Sequence, residues 1–142
     1  MNLKKTLSTT AIMVCLLLTS CSSYKLSIKQ NLELSETIEL DLTRLNSYIE
    51  QKEDMIILVY LSTCSTCTNV ISILNDYVSK NHYYIYKINY EEVASSSYFN
   101  KVDSFPSLVF IHKGNIMDIY ESGLTDINKV NSLLNSHILK TD

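Results

Sequence analysis

Apolar and polar residues follow one another in blocks that predict alternating strands and helices from residue 36 onward. Residues 55–61 form a continuous apolar run rich in β-branched residues, which is typical of a central strand buried on both faces. Asp41 precedes apolar positions spaced by three and four, so a helix is predicted from there to residue 52. Residues 70–78 carry a wide apolar stripe, which predicts a second helix after the central strand.

The rest of this region contains further strands and ends on a helix. Four short strands are predicted, over residues 38–40, 83–88, 108–111 and 116–120. A looser helical crossover is expected over residues 91–100, and a last helix begins near Thr125. The order of these elements predicts an α/β fold in which a central mixed sheet has helices on both faces.

The first twenty residues have the pattern of an export signal. Two lysines near the start precede an apolar stretch over residues 11–18, which is too short for a membrane-spanning helix. The sequence that follows, Leu18-Thr19-Ser20-Cys21, resembles the lipobox of bacterial lipoproteins. This resemblance implies that the chain is cut before Cys21 and that the Cys21 thiol is lipidated. The alternative is an ordinary signal peptide cut nearby, which would leave Cys21 as a free thiol.

These patterns divide the chain into three parts. Residues 1–20 are predicted to be a lipoprotein signal peptide, residues 21–35 a lipidated cysteine with a flexible tether, and residues 36–142 the folded domain. Two acyl chains on Cys21 would hold the protein stably to a membrane. We therefore expect a lipid-anchored protein on the extracytoplasmic side, at the cell surface or in a periplasm.

Charge and cysteine content narrow the function classes. The net charge is −3 and no basic run occurs in the domain, so nucleic acid is not expected as a partner. Of the four cysteines, Cys15 would be removed with the signal peptide and Cys21 would be lipidated, which leaves Cys64 and Cys67. In an exported chain this pair can form a disulfide that persists. The disulfide would act either as a redox couple or as a local structural bridge.

Four short motifs follow one another along the predicted domain. The sequence Cys64-Ser65-Thr66-Cys67 lies between a predicted strand and a predicted helix, and Phe105-Pro106-Ser107 precedes a later strand. A turn follows at residues 113–114, and the last helix is entered at residues 123–125. In type and spacing these motifs resemble the thioredoxin superfamily over about residues 36–140. The resemblance implies a thioredoxin-like fold with a cis peptide bond between Phe105 and Pro106. An ordinary trans turn proline is the alternative there.

The position of the cysteine pair indicates how it would act. A helix N-terminus and a CxxC partner lower the pKa of a thiol from about 8.5 toward about 3.5–7.5, and Cys64 lies just before a predicted helix. We therefore expect Cys64 to attack a disulfide and Cys67 to resolve the mixed disulfide. The resemblance implies that Thr63, Phe105 and Pro106 bind an extended client peptide beside the pair. No metal is expected, and no cofactor besides the redox-active disulfide.

The residues around the cysteines depart from the family's pattern. Thioredoxins have tryptophan where this chain has Thr63, glycine and proline where it has Ser65 and Thr66, and a buried aspartate where it has Leu58. In thioredoxins this aspartate helps to move the proton of the resolving thiol. Without it, Cys67 is expected to resolve the mixed disulfide slowly or with the help of water. The reduction potential is expected only within the family's range, about −120 to −270 mV, and the direction of exchange stays open.

Together these patterns favour a membrane-anchored thiol–disulfide oxidoreductase that exchanges disulfides with exported proteins, acts as a monomer and has a membrane protein as a possible redox partner. The alternative is a dedicated accessory lipoprotein, for example one that assists a secreted antimicrobial peptide, whose cysteine pair is structural or serves one client. Zinc binding would need two further ligands. A copper chaperone would need a histidine near the pair, and the histidines at positions 82, 112 and 137 are expected to be solvated.

Overall fold

The computed structural model describes residues 24–140, which form a five-stranded sheet and four helices. The strands are β1 Ile38–Glu39, β2 Met55–Tyr60, β3 Tyr86–Asn89, β4 Ser107–His112 and β5 Asn115–Tyr120. The helices are α1 Leu42–Glu50, α2 Ser65–Asn81, α3 Tyr90–Val93 and α4 Ile127–His137, and one 3₁₀ turn covers Ser97–Phe99. We call the sheet end at which β2 leads into Cys64 the disulfide end, and the opposite one the basal end.

The sheet is mixed, with strand order β1-β3-β2-β4-β5. Strands β1, β3 and β2 are parallel, whereas β4 runs antiparallel to β2 and pairs with β5 as a hairpin. The register places Val59 of β2 opposite Ser107 of β4, so the start of β4 lies at the disulfide end. The predicted α/β fold with a central mixed sheet and helices on both faces is confirmed.

The two faces of the sheet are buried under different helices because successive side chains of a strand point to opposite sides. Ile56 and Leu58 of β2 pack in one apolar cluster with residues of α2 and α4. Met55, Ile57 and Val59 pack in a second cluster with residues of α1, α3 and the 3₁₀ turn. All five side chains are almost completely buried, which agrees with the predicted central strand.

The β4–β5 hairpin turns on two residues at the basal end. Lys113 has a φ of 51° and Gly114 a φ of 77°, the combination that a two-residue hairpin turn of type I′ requires. Gly114 also lies against α1, because a Cβ atom added there would be 2.7 Å from the carbonyl oxygen of Ile49. Both the backbone conformation and the close approach therefore require glycine at this position.

The segment from Tyr24 to Leu34 packs against the domain, and the predicted tether is wrong from residue 24 onward. Leu26 is completely buried, its N–H donates to the His137 carbonyl at 2.7 Å, and its carbonyl accepts from the Leu139 N–H at 2.8 Å. Ile28 is buried as well, so the first part of the segment buries alternate side chains as a strand does, whereas Leu32 is 82% exposed. The apolar residues at positions 24, 26 and 28 alternate with polar ones in the sequence, but this pattern is too short to show that the segment docks. Cys21 and the predicted signal peptide lie outside the described residues.

Two predicted elements differ from those observed. Strand β3 begins at Tyr86 and not at residue 83, because Tyr83 and Tyr84 pair with the N-terminal segment: the Tyr84 N–H donates to the Lys29 carbonyl at 3.0 Å. The crossover predicted over residues 91–100 is divided into α3 and the 3₁₀ turn. Within residues 24–140, no helix is long and apolar enough to cross a membrane.

Candidate active site

Cys64 and Cys67 form a disulfide where β2 ends and α2 begins, with their Cα atoms 5.2 Å apart. Cys64 is the N-cap of α2, and its Sγ accepts a hydrogen bond from the Cys67 N–H at 3.1 Å. The Cys64 side chain is partly exposed, whereas Cys67 is 1% exposed. A nucleophile from solution therefore reaches the sulfur of Cys64 and not that of Cys67.

The start of α2 gives this site its electrostatic character. The first N–H groups of a helix have no partner within the helix, and the helix dipole places a partial positive charge there. Helix α2 covers 17 residues, and the Cys67 N–H in its first turn points at the Cys64 sulfur. When the disulfide is reduced, this environment favours the thiolate form of Cys64, which is the nucleophilic form.

The loop before β4 lies against the disulfide. The Phe105–Pro106 peptide bond is cis, as the resemblance implied, and the Phe105 carbonyl oxygen lies 4.0 Å from Cys64 Sγ. Pro106 is buried and Phe105 is partly exposed, with the Tyr90 ring 4.7 Å from the Phe105 ring. Thr63 is exposed on the turn just before Cys64. The predicted site residues therefore lie at one end of the sheet.

Glu121 holds this loop in place, although it is not among the predicted site residues. Its Oε1 accepts from the backbone N–H of Asp103 at 2.8 Å and of Ser104 at 3.1 Å. The hydroxyl of the buried Ser107 donates to the Ser104 carbonyl and lies 3.4 Å from the same Oε1. A single glutamate after a strand gives no sequence signal, because its partners are 14 to 18 residues away.

Further carboxylates surround the disulfide end. Glu91, in the first turn of α3, accepts from the Ser62 hydroxyl at 3.0 Å. The Tyr60 hydroxyl donates to Glu39 at 3.1 Å. Burial, with Glu39 as the next cause, raises the pKa of Tyr60 to about 12. Carboxylates therefore lie at the same end of the sheet as the partly exposed sulfur, and one of them, Glu39, is ion-paired with Lys87 at 3.3 Å.

Leu58 occupies the position at which thioredoxins bury an aspartate. It is completely buried in the middle of β2 and lies opposite Leu108 of β4. Its neighbours in the cluster include Val70 of α2. At this position the chain therefore supplies apolar packing and no carboxylate that could exchange a proton with Cys67.

The three histidines lie away from the disulfide. His82 caps the far end of α2, His112 ends β4 at the basal end, and His137 ends α4. The side chain of His137 is 14% exposed and its ring lies 4.4 Å from that of Phe110, so the expectation that it is solvated is wrong. Among residues 24–140, no group of three or more His, Cys, Asp or Glu side chains could hold a metal ion.

The fold and the site define a class of protein: an α/β domain with a CxxC disulfide at a helix N-terminus, facing a cis-proline loop. The model of the family described as Thioredoxin matches residues 36–136. This chain belongs to the thioredoxin family. No functionally curated protein matches it significantly.

Solved structures of thioredoxins have the same fold. A mutant thioredoxin from Halobacterium salinarum NRC-1 is 17% identical with a TM-score of 0.62, and the match covers 77% of this chain and 96% of that one. Thioredoxin NaTrxh from Nicotiana alata is 14% identical with a TM-score of 0.61, covering 74% of this chain and 95% of that one. At these identities the likeness shows the fold alone.

Proposed function

We propose that this protein is a thiol–disulfide oxidoreductase that exchanges disulfides with exported proteins, from a membrane anchor at a lipidated Cys21. The observation that carries the proposal is the asymmetry of the pair: Cys64 is partly exposed at the helix N-terminus, and Cys67 is buried. This is the arrangement that an attacking and a resolving cysteine need. The lipobox-like sequence before Cys21 supports the anchor.

The exchange proceeds in two steps. In the oxidised protein, a client thiolate attacks Cys64 Sγ, the Cys64–Cys67 bond breaks, and Cys67 leaves as a thiolate. A second client thiolate attacks the client sulfur of the mixed disulfide and Cys64 leaves as a thiolate, so the client gains a disulfide and the protein, after taking up protons from water, keeps two thiols. In the reverse direction, the Cys64 thiolate attacks a client disulfide and Cys67 releases the client. Two electrons are transferred each way, and the reduction potential decides the direction.

The cis-proline loop supplies the client's binding surface. The Phe105 carbonyl lies beside the Cys64 sulfur, so the backbone of an extended client segment can pair with this loop while its sulfur faces Cys64. Phe105 adds an apolar surface that a client side chain can cover. Thr63, the residue before Cys64, borders the pair on the side of the β2–α2 turn.

The proposal is tested by the reduction potential of the pair together with a trapping variant. Cys67→Ala is expected to accumulate mixed disulfides with clients, because the resolving thiol is missing. Cys64→Ala is the matched control and is expected to trap none. A potential below about −300 mV with no trapped client would show a structural bridge and contradict the proposal.

A further inference from the structure

The N-terminal segment joins the domain at the basal end. The Tyr24 hydroxyl donates to Asp118, and the Tyr24 ring lies 6.1 Å from that of His112, the last residue of β4. The Ser27 N–H donates at 2.8 Å to Asp54, the residue before β2. Strand β2 then runs toward Cys64, so its six residues, about 20 Å of strand, separate this attachment from the disulfide.

The distance from the anchor to this attachment is short. Tyr24 is three positions after Cys21, and an extended chain spans at most about 10 Å over that distance. The disulfide end lies farther than this from Tyr24. A lipid on Cys21 therefore keeps the Tyr24 attachment near the bilayer while the segment stays docked, which excludes the inverted orientation with Cys64 at the membrane and the basal end in solution.

The two ends of the sheet differ in charge. At the basal end the lysines at positions 25, 29, 52 and 113 are balanced by the carboxylates at positions 50, 53, 54 and 118, so this end carries no net charge. Within residues 24–140, Lys25, Lys52 and Lys113 have no carboxylate at ion-pair distance. The basal end therefore does not repel an anionic surface.

We propose that the basal end is the surface that faces the anchoring bilayer, so that the Cys64–Cys67 disulfide points away from the membrane. This inference rests on the proposed lipidation of Cys21. Its consequence is that the clients of this protein present their cysteines in the aqueous phase above the membrane. The carboxylates at the disulfide end reinforce this orientation, because anionic lipid repels them.

The orientation is tested by fluorescence quenching in the full lipidated protein. Asn115→Cys places a label at the start of β5, at the basal end, and Ser122→Cys places one just beyond β5, at the disulfide end. Both are made in a background carrying Cys64→Ser and Cys67→Ser. The protein is reconstituted in phosphatidylglycerol–phosphatidylcholine vesicles with a quencher on the lipid headgroups. We expect loss of most emission at residue 115 and little loss at residue 122.

Two variants separate the effect of the short tether from the effect of the lysine charges. A Gly-Ser linker of about 20 residues between Ser23 and Tyr24, with a mean reach of about 25 Å, should reduce the difference between the two labels. Lys25→Glu with Lys113→Glu should weaken quenching at residue 115 on anionic vesicles. Equal quenching at both positions in a protein whose mass shows lipidated Cys21 would overturn the orientation alone. An unmodified Cys21 would overturn the proposed anchor, and the inference with it.

Discussion

The two ends of the sheet are built differently. At the disulfide end, partly exposed groups meet over short distances: a helix N-cap, a cis-proline loop and the Glu121 carboxylate that holds it. At the basal end, the first and last segments of the described chain pair with each other, as Leu26 does with Ile138. We therefore expect substitutions at the basal end to change mainly the stability of the domain, and substitutions at the disulfide end to change mainly its chemistry.

The largest expected effect is on stability, from Leu26→Ala. This side chain is completely buried, so its truncation should lower the free energy of unfolding by about 3 kcal/mol and leave the reduction potential unchanged. Urea unfolding and redox equilibration measure the two quantities. Leu32→Ala is the control, since Leu32 is 82% exposed and its loss should cost less than about 0.5 kcal/mol. A change in potential would show that the two ends are coupled.

A smaller loss is expected from Asp54→Ala. The Asp54 side chain is 10% exposed and accepts from two backbone N–H groups, those of Ser27 and Lys113. Without it these donors and the His112 ring nitrogen, 3.0 Å from Asp54 Oδ1, lose their partner. Because Ser27 and Lys113 are exposed and can bond to water, the cost should be about 1.5 kcal/mol. Asp76→Ala removes an exposed pair with Lys80 and should cost about 0.5 kcal/mol. Equal losses in the two variants, by thermal or urea unfolding, would contradict this account.

Glu121→Ala should act on exchange more than on stability. The loop donors at Asp103 and Ser104 belong to exposed residues and can bond to water, so the cost in stability is about 1 kcal/mol. The loop is less well fixed beside Cys64, and kcat/KM for a client disulfide should fall. Glu121→Gln keeps the accepting oxygen and should restore most of the rate. A variant that loses stability without losing rate would argue against this positioning role.

The smallest effect is a pH dependence of the N-terminal segment. Burial, followed by the neighbouring Asp118, raises the pKa of Tyr24 above its usual value of about 10. Because the folded pKa is raised, the contribution of Tyr24 is complete below a pH of about 10 and is lost as the pH rises further. Proteolysis of the segment should therefore accelerate above that pH, and Tyr24→Phe should remove this acceleration.

The sequence was sufficient for the fold and for the cysteine pair, because both depend on local patterns. The apolar run of β2, the stripe of α2 and the Asp41 cap are each set by neighbouring residues, and the structure has all three. The cis bond at Pro106 came from the resemblance and is present.

The docked N-terminal segment and the role of Glu121 could not be predicted, because each depends on contacts between residues far apart in the sequence. The docking of Leu26 requires the end of α4, which lies more than a hundred positions later in the chain. Glu121 similarly acts on a loop that precedes its own hairpin. A lone glutamate gives no pattern, and the alternation of apolar and polar residues over positions 24–29 is too short to identify a docked strand. The sequence therefore predicts a tether before residue 36 where the structure has a docked segment.

The pairing of Leu26 with Ile138 also sets an order of assembly. In an exported chain whose N-terminal part crosses the membrane first, Leu26 arrives long before α4 emerges, so the binding place for Leu26 does not yet exist. With export in that order, this contact forms only after the final helix has folded onto the sheet. If the proposed export and anchor hold, Leu26 and Ile28 therefore stay uncovered until α4 has crossed the membrane, and the end of translocation completes the fold.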